Sequence, residues 1–332
     1  MLTELPEWPD FGLTDDVRPA LAAAAAAGRT LALATLTAVE GGGPRPAGTQ
    51  MVFADDVVAG YFSGGCVEGD VAGHARACLA DGEPRRLVYG EGSPWPDIRL
   101  LCGARIEIMV ERIAPDDPAL AELLNAAQAR RPVRWISDGR RRMCVAPAET
   151  IPDWALVVRL HEPRSRLVVV GGDPAALAMA ALGAQSGLET TLVRPKGPEA
   201  PPPLAGVAYR REDPAEALAG IGMDAWTAVA VASHDLEIDQ AALRAALPSP
   251  AFYVGLLGAR ARLPERLARL RAAGLGEAAL SRLHAPIGLD IGGKAPWEVA
   301  VSVIGEIMAV RYARSSSNTS ATAPSAAADA PA

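Results

Sequence analysis

The sequence predicts an α/β protein in two parts, an α+β domain followed by a doubly wound parallel sheet. Three observations carry that prediction. The chain has 332 residues, room for two domains of ordinary size, and half of them are hydrophobic. Up to about residue 160, short strand and helix patterns mix, and "RIEIMVERI" shows period-two alternation. From "HEPRSRLVVVGGDP" (161–174) onward, strands alternate with helices, the order that builds a parallel sheet covered on both faces. The strand, Gly-Gly turn and helix that open this second part make it Rossmann-like.

The elements follow in order. "DDVRPALAAAAAAG" (15–28) reads as a helix stopped by Gly28, and "TLALATLTAV" (30–39) as a buried strand. "EGGGPRPAG" (40–48) is a loop, because Gly and Pro dominate it. Residues 49–62 read as a hairpin around "ADD", and an amphipathic helix follows over about 67–80. "RRLVYG" and "RIEIMVERI" are strands, 117–130 a helix, and 132–160 two or three strands. In the second part "LETTLVRP", "GVAYR", "WTAVAVAS" and "AFYVGLLG" are strands and "EIDQAALRAAL" a helix. "APWEVAVSVIGEIMAVRYA" (295–313) is the clearest helix, with Val299, Val303, Ile307 and Val310 on one face. The expected division is an N-terminal extension 1–13, an α+β domain 14–160, a Rossmann-like domain 161–313 and a disordered Ser/Ala/Pro tail 314–332.

Composition narrows the function classes. Net charge is −7 and no Lys/Arg-rich run stands out, which argues against nucleic-acid binding. No apolar run reaches the roughly 18 residues of a membrane span. The acidic, Pro-interrupted "MLTELPEWPD" does not match a signal peptide, so a cytoplasmic location is expected. The four cysteines, Cys66, Cys78, Cys102 and Cys144, form no CxxC pair, so no structural zinc site is expected.

Nucleotide binding is poorly supported. Against G-x-G-x-x-G, the turn reads Gly171, Asp173 and Ala176 at the glycine positions. Asp173 is a good helix N-cap, but a carboxylate there repels a phosphate. The acidic residue that would hold the ribose is replaced by Arg194. NAD(P) is therefore not expected as a cofactor.

Three loops carry the chemistry. In "GGGPRPAG", Arg45 lies between prolines, either as a solvated loop residue or as a bidentate anion contact. In "SGGCVEGD" (63–70), Ser63, Gly64 and Gly65 lead to Cys66 at a helix start, where a thiolate is stabilised. Cys66 is a reactive sulfur, a ligand or a packing residue, and Glu68 a helix cap or a ligand neighbour. In "LLCGARIEI" (100–108), Cys102 and Gly103 sit at a turn. Cys66 and Cys102 could converge on a soft metal or a sulfur-bearing ligand, or form a reversible disulfide. Cys78 and Cys144 read as core. In "VASHDLEID", His234 and Asp235 lie at a strand's carboxyl end, as a metal or proton-transfer site or as a helix cap.

Together these stretches resemble the XdhC/CoxI family of molybdenum-hydroxylase maturation proteins. The resemblance rests on Gly41, Pro44, Arg45, Gly48 and Met51. It continues in Gly60, Ser63, Gly64, Gly65, Cys66, Val67 and Glu68, and in Cys102 and Gly103. In the second part it rests on Ser233-His234-Asp235, "YVGLLGAR" and "APIGLDIGGKAPWEVAVS", and it covers about 14–312. Gly42, Ala104 and Ala259 depart from the family's usual Ser, Gly and Ser. The resemblance implies a chaperone that binds the molybdenum cofactor, a molybdopterin, supports its sulfuration and delivers it to a hydroxylase. Xanthine dehydrogenase and carbon monoxide dehydrogenase are the recipient types. It implies Cys66 and Cys102 as molybdenum or sulfur contacts, and Arg45 with the Gly64–Gly65 backbone as phosphate contacts. Ser63, Glu68, Gly103, His234 and Asp235 complete the candidate cofactor-binding set. A cysteine desulfurase is the implied sulfur donor, and a homodimer would shield a labile ligand. The alternatives are an NAD(P)-linked oxidoreductase and a thiol redox sensor using Cys66 and Cys102.

Overall fold

A computed structural model describes residues 5–43, 45–54, 57–91, 93, 100 and 103–320. The chain divides into two compact units, Met1–Pro163 and Arg164–Ala332.

The first unit runs α1 (Arg18–Ala26), β1 (Leu31–Glu40), β2 (Gln50–Ala54), β3 (Val57–Gly60), α2 (Glu68–Asp81), β4 (Arg85–Tyr89) and β5 (Arg105–Ile113). It continues with α3 (Pro118–Gln128), β6 (Val133–Ser137), β7 (Arg142–Val145) and β8 (Val157–His161). The first five strands form one antiparallel sheet in the order β3-β2-β1-β5-β4. The last three form a smaller antiparallel sheet, β7-β6-β8. The larger sheet is covered on both faces. α2 packs Val71, Ala75 and Cys78 against Ala32, Ala34, Phe53, Ile106 and Ile108. On the other face, Leu33, Val52, Met109 and Ile113 meet Leu21 of α1, Leu120 and Leu123 of α3, and Trp135.

Two-sided burial explains why β5 is buried nearly throughout although its sequence alternates. Its buried polar positions are carboxylates with partners. Glu107 takes Arg86 and Arg105 at 2.5 and 2.6 Å, while Glu111 accepts from Ser137 Oγ at 2.7 Å and Arg142 Nε at 2.9 Å. Burial pushes the Glu111 carboxyl up, against the pull of Arg142.

The second unit runs β9 (Arg166–Gly171), α4 (Pro174–Gln185), β10 (Glu189–Val193), β11 (Val207–Arg210), α5 (Pro214–Ile221), β12 (Thr227–Ala232) and α6 (Leu236–Ala246). β13 (Tyr253–Leu256), α7 (Leu263–Ala272), α8 (Glu277–Leu280), β14 (Leu283–His284) and α9 (Pro296–Ser320) follow. All six strands are parallel, in the order β11-β10-β9-β12-β13-β14. Numbered within the unit this is 3-2-1-4-5-6, the dinucleotide-fold order, whose switch point lies between β9 and β12. α4 and α9 cover one face, and α5, α6 and α7 the other. The two-part α/β expectation is met.

Three helices open on the same dipeptide. Asp117-Pro118, Asp173-Pro174 and Asp213-Pro214 each place an aspartate that accepts a first-turn N–H and a proline with its φ already set. α9 buries Ala300, Val303, Ile304 and Ile307, with Val299 and Val310 at the margin. It runs on to Ser320, past the end expected at 313, because nothing between Arg314 and Ser320 is a helix breaker. The rest of the expected tail lies outside the described residues. Among the described residues, no helix is long and apolar enough to cross a membrane.

Candidate functional site

Strand direction gathers the chemistry-bearing loops of the first unit. Glu40 pairs with Arg105, Met51 with Gly60, and Tyr89 with Ile106. The carboxyl ends of β1, β3 and β4 and the amino ends of β2 and β5 therefore share one end of the sheet. The loops 41–49, 61–67 and 90–104 all leave from there. The first and third come close, since a Cβ on Gly41 would sit 3.4 Å from the Gly103 carbonyl oxygen. Arg105 ties their roots by bonding Glu40 at 3.0 Å. Cys102 and Pro44 lie outside the described residues, so the expected approach of Cys66 to Cys102 is not described.

The middle loop is built around Glu68. Its carboxylate is buried and accepts Phe62 N at 3.1 Å, Ser63 N at 2.6 Å, Ser63 Oγ at 2.8 Å and Val67 N at 3.3 Å. Ser63 Oγ in turn accepts Cys66 N at 3.1 Å. Glu68 is thus consumed in shaping the turn that presents Cys66. Gly65 has φ +92, and a Cβ there would meet nothing within 4 Å. Backbone conformation, and not crowding, demands glycine at that point. Gly64 and Gly65 are both exposed on this turn.

Cys66 is exposed, whereas Cys78 is buried and Cys144 half-buried. Burial pushes the Cys78 thiol up and the Cys144 thiol up to about 12. Neither forms a thiolate near neutrality, and both pack as core residues. Cys66 is the exposed thiol among the described residues.

Arg45 donates to Asp15, yet its Nε is buried and has no partner. Beneath it lies a residue that sequence reasoning misses. Arg159 of β8 donates to the carbonyl of Gly48, at the foot of the Arg45 loop. Val157, Arg159 and His161 alternate inward while Val158 and Leu160 face out. That inversion is the only signal of a polar interior.

His234 and Asp235 belong to the second unit. Asp235 caps α6, accepting Glu237 N at 2.9 Å and Ile238 N at 3.2 Å. His234, with φ +60, places Nε2 2.9 Å from Asp173 Oδ2 across the switch point. Asp173 Oδ1 accepts Ala176 N at 2.8 Å, so both its oxygens are engaged where a pyrophosphate would need free amides. Arg194 lies over the turn, since a Cβ on Gly172 would meet its side chain at 2.4 Å. Asp239 bonds Ser233 Oγ at 2.5 Å and Arg266 at 2.7 Å, completing a network of local support. No group of three or more His, Cys, Asp or Glu placed to hold a metal occurs among the described residues.

A small antiparallel unit presenting a glycine-held thiol, joined in sequence to a Rossmann unit, is a defined class. Residues 24–90 match the XdhC and CoxI family and residues 167–307 the XdhC Rossmann domain. This chain belongs to the XdhC and CoxI family. It is 33% identical over 307 residues to the molybdenum cofactor insertion chaperone PaoD of Escherichia coli, covering 90% of each chain. It is 26% identical over 317 residues to a probable xanthine dehydrogenase component of Bacillus subtilis, covering 84% of this chain and 92% of that one. A crystal structure from Bacillus halodurans, titled a xanthine dehydrogenase, has the same fold. Its TM-score is 0.72 at 21% identity, over 91% of this chain and 96% of that one.

Proposed function

We propose that this chain is a carrier of the molybdenum cofactor. It holds the molybdopterin at the loop end of the first unit's sheet, supports its sulfuration and hands it to a molybdenum hydroxylase of the xanthine or carbon monoxide dehydrogenase type. The observation that carries this reading is the accessible Cys66 thiol, set on a Gly64–Gly65 turn and held by Glu68, in the same loop cluster as Arg45. Likeness to an insertion chaperone over 90% of the chain supports it.

The donor set fits such a group. A thiol is a soft ligand suited to molybdenum or to sulfur exchange, and Cys66 is the described thiol in reach of solvent. A pterin phosphate needs N–H donors, and the orphaned Arg45 Nε and the glycine-turn amides offer them. Bound, the cofactor supplies the molybdenum and dithiolene chemistry of its recipient enzyme. This chain's residues bind it, orient it and keep it from water. Cys102 and Gly103 remain in the proposal as contacts carried over from the family pattern, and a cysteine desulfurase as sulfur donor. His234 and Asp235 are engaged within the second unit by Asp173 and by the start of α6.

The test is molybdenum and pterin content per monomer after anaerobic purification from a cofactor-producing host, beside Cys66→Ser and Cys102→Ser. Near one pterin per chain in wild type, reduced in either variant, is the expected result. No pterin in correctly folded wild type overturns the carrier reading.

A further inference from the structure

Arg159 carries a charge that no carboxylate among the described residues contacts directly. Its side chain is intermediate in exposure, and burial pulls its pKa down to about 10, against the partial support of Asp16. Among the described residues its one protein acceptor is the Gly48 carbonyl, and none of their carboxylates lies within ion-pair distance. The nearby carboxylates are spent elsewhere. Asp16 takes Arg18 through both oxygens, at 2.8 and 2.9 Å, and Asp15 takes Arg45. The positive field reaches further. Burial, then Arg159 and Arg18, hold His161 neutral, and its Nε2 has no partner. Three guanidiniums face two aspartates here, and the surplus charge falls on Arg159, whose acceptor is a carbonyl and not a carboxylate.

A half-buried guanidinium with no carboxylate partner is costly, and neighbouring cations raise the cost. Such a site persists where a ligand completes it. A phosphate suits it, because its oxygens can accept two parallel N–H groups from one guanidinium and others from a second. Arg159 lies at the foot of the loop that carries Arg45, with its Cγ 3.8 Å from the Cβ position of Gly48.

We propose that Arg159 and Arg45 together form a binding site for a phosphate monoester. Resting on the carrier reading, this site seats the phosphate end of the pterin while Cys66 faces its metal end. An arginine that merely tied Gly48 to β8 would stabilise the loop without responding to any anion.

The test uses the full chain, free of cofactor, with inorganic phosphate and glycerol phosphate as probes at constant ionic strength. Wild type is expected to bind both by calorimetry and to gain several degrees in Tm over chloride. Arg159→Gln is expected to bind at least tenfold more weakly, with the Tm response lost. The surface control Arg131→Gln is expected to match wild type. An Arg159→Gln response equal to wild type overturns the proposal, as does a wild type that binds neither probe. If Arg159→Gln fails to fold, Arg45→Gln on the loop reads the same site, and an undiminished response there overturns it. Phosphate binding that needs Arg159, in a chain that purifies without pterin from a competent host, would keep this site and reject the carrier reading. Pterin retained without Arg159-dependent phosphate binding would do the reverse.

Discussion

Glu68 accepts both the N–H and the hydroxyl of Ser63, at 2.6 and 2.8 Å, from the first residue of the helix that Ser63 precedes by five positions. One buried carboxylate thus sets the path of the loop that displays Cys66. Removing it strands the amides of Phe62, Ser63 and Val67. Glu68→Ala is expected to cost on the order of 3 kcal/mol and to lower pterin retention even with Cys66 intact. Ser63→Ala, which keeps the amide bonds to Glu68 and loses the hydroxyl's bonds to Glu68 and Cys66 N, is expected to cost about 1 kcal/mol. Denaturant melts with pterin assays separate the two. A Glu68→Ala as stable as wild type would show that the loop holds its shape without the carboxylate.

The Glu111–Arg142 pair is a second lever, remote from the loops. Arg142 also bonds Asp117 at 2.6 Å, linking β5, β7 and the start of α3. Arg142→Ala leaves Glu111 buried and unpaired, an expected loss of about 3–5 kcal/mol. Adding Glu111→Gln removes the stranded charge and is expected to recover part of the loss. Additive losses in the double variant would contradict the pairing.

His161 gives the first unit a pH dependence. Its folded pKa lies well below the unfolded value near 6.5, so below that pH the unfolded chain binds the extra proton. Its contribution is intact above pH 6.5 and is lost as the pH falls through that value. The slope approaches about 1.4 kcal/mol per pH unit. His161→Met is expected to flatten the profile between pH 6.5 and 5. An unchanged slope would place the acid sensitivity elsewhere.

At the switch point, Asp173→Ala removes a cap and the His234 contact together. A loss of about 1 kcal/mol is expected from the cap. NAD(P)H fluorescence titration is expected to show no binding by wild type. Saturable binding there would restore the nucleotide reading.

Much of this is legible in the sequence, for physical reasons. β5 and α9 can be read closely because long periodic patterns leave little choice of element. The cap role of Asp173 follows from Asp-Pro before a helical run. Glu68 reads as cap or ligand neighbour, and only the fold shows it reaching back five residues to Ser63. α5 and the two-residue β14 do not stand out, being too short to show a period. Arg159 and His161 are invisible for a different cause. Their meaning depends on β8 turning Val158 and Leu160 outward, which tertiary packing decides.

The common exit of the three loops also bears on how such a chain can diverge. Gly48 and Thr49 bond Leu36 of β1, but Gly42 pairs with no strand, so an exchange at Gly42 leaves strand register untouched. On the carrier reading, Gly42 in place of the family's usual Ser would change what the loop grips without changing what holds the sheet together. On that reading, cargo preference could shift by single exchanges at such unpaired loop positions while the sheet keeps its register.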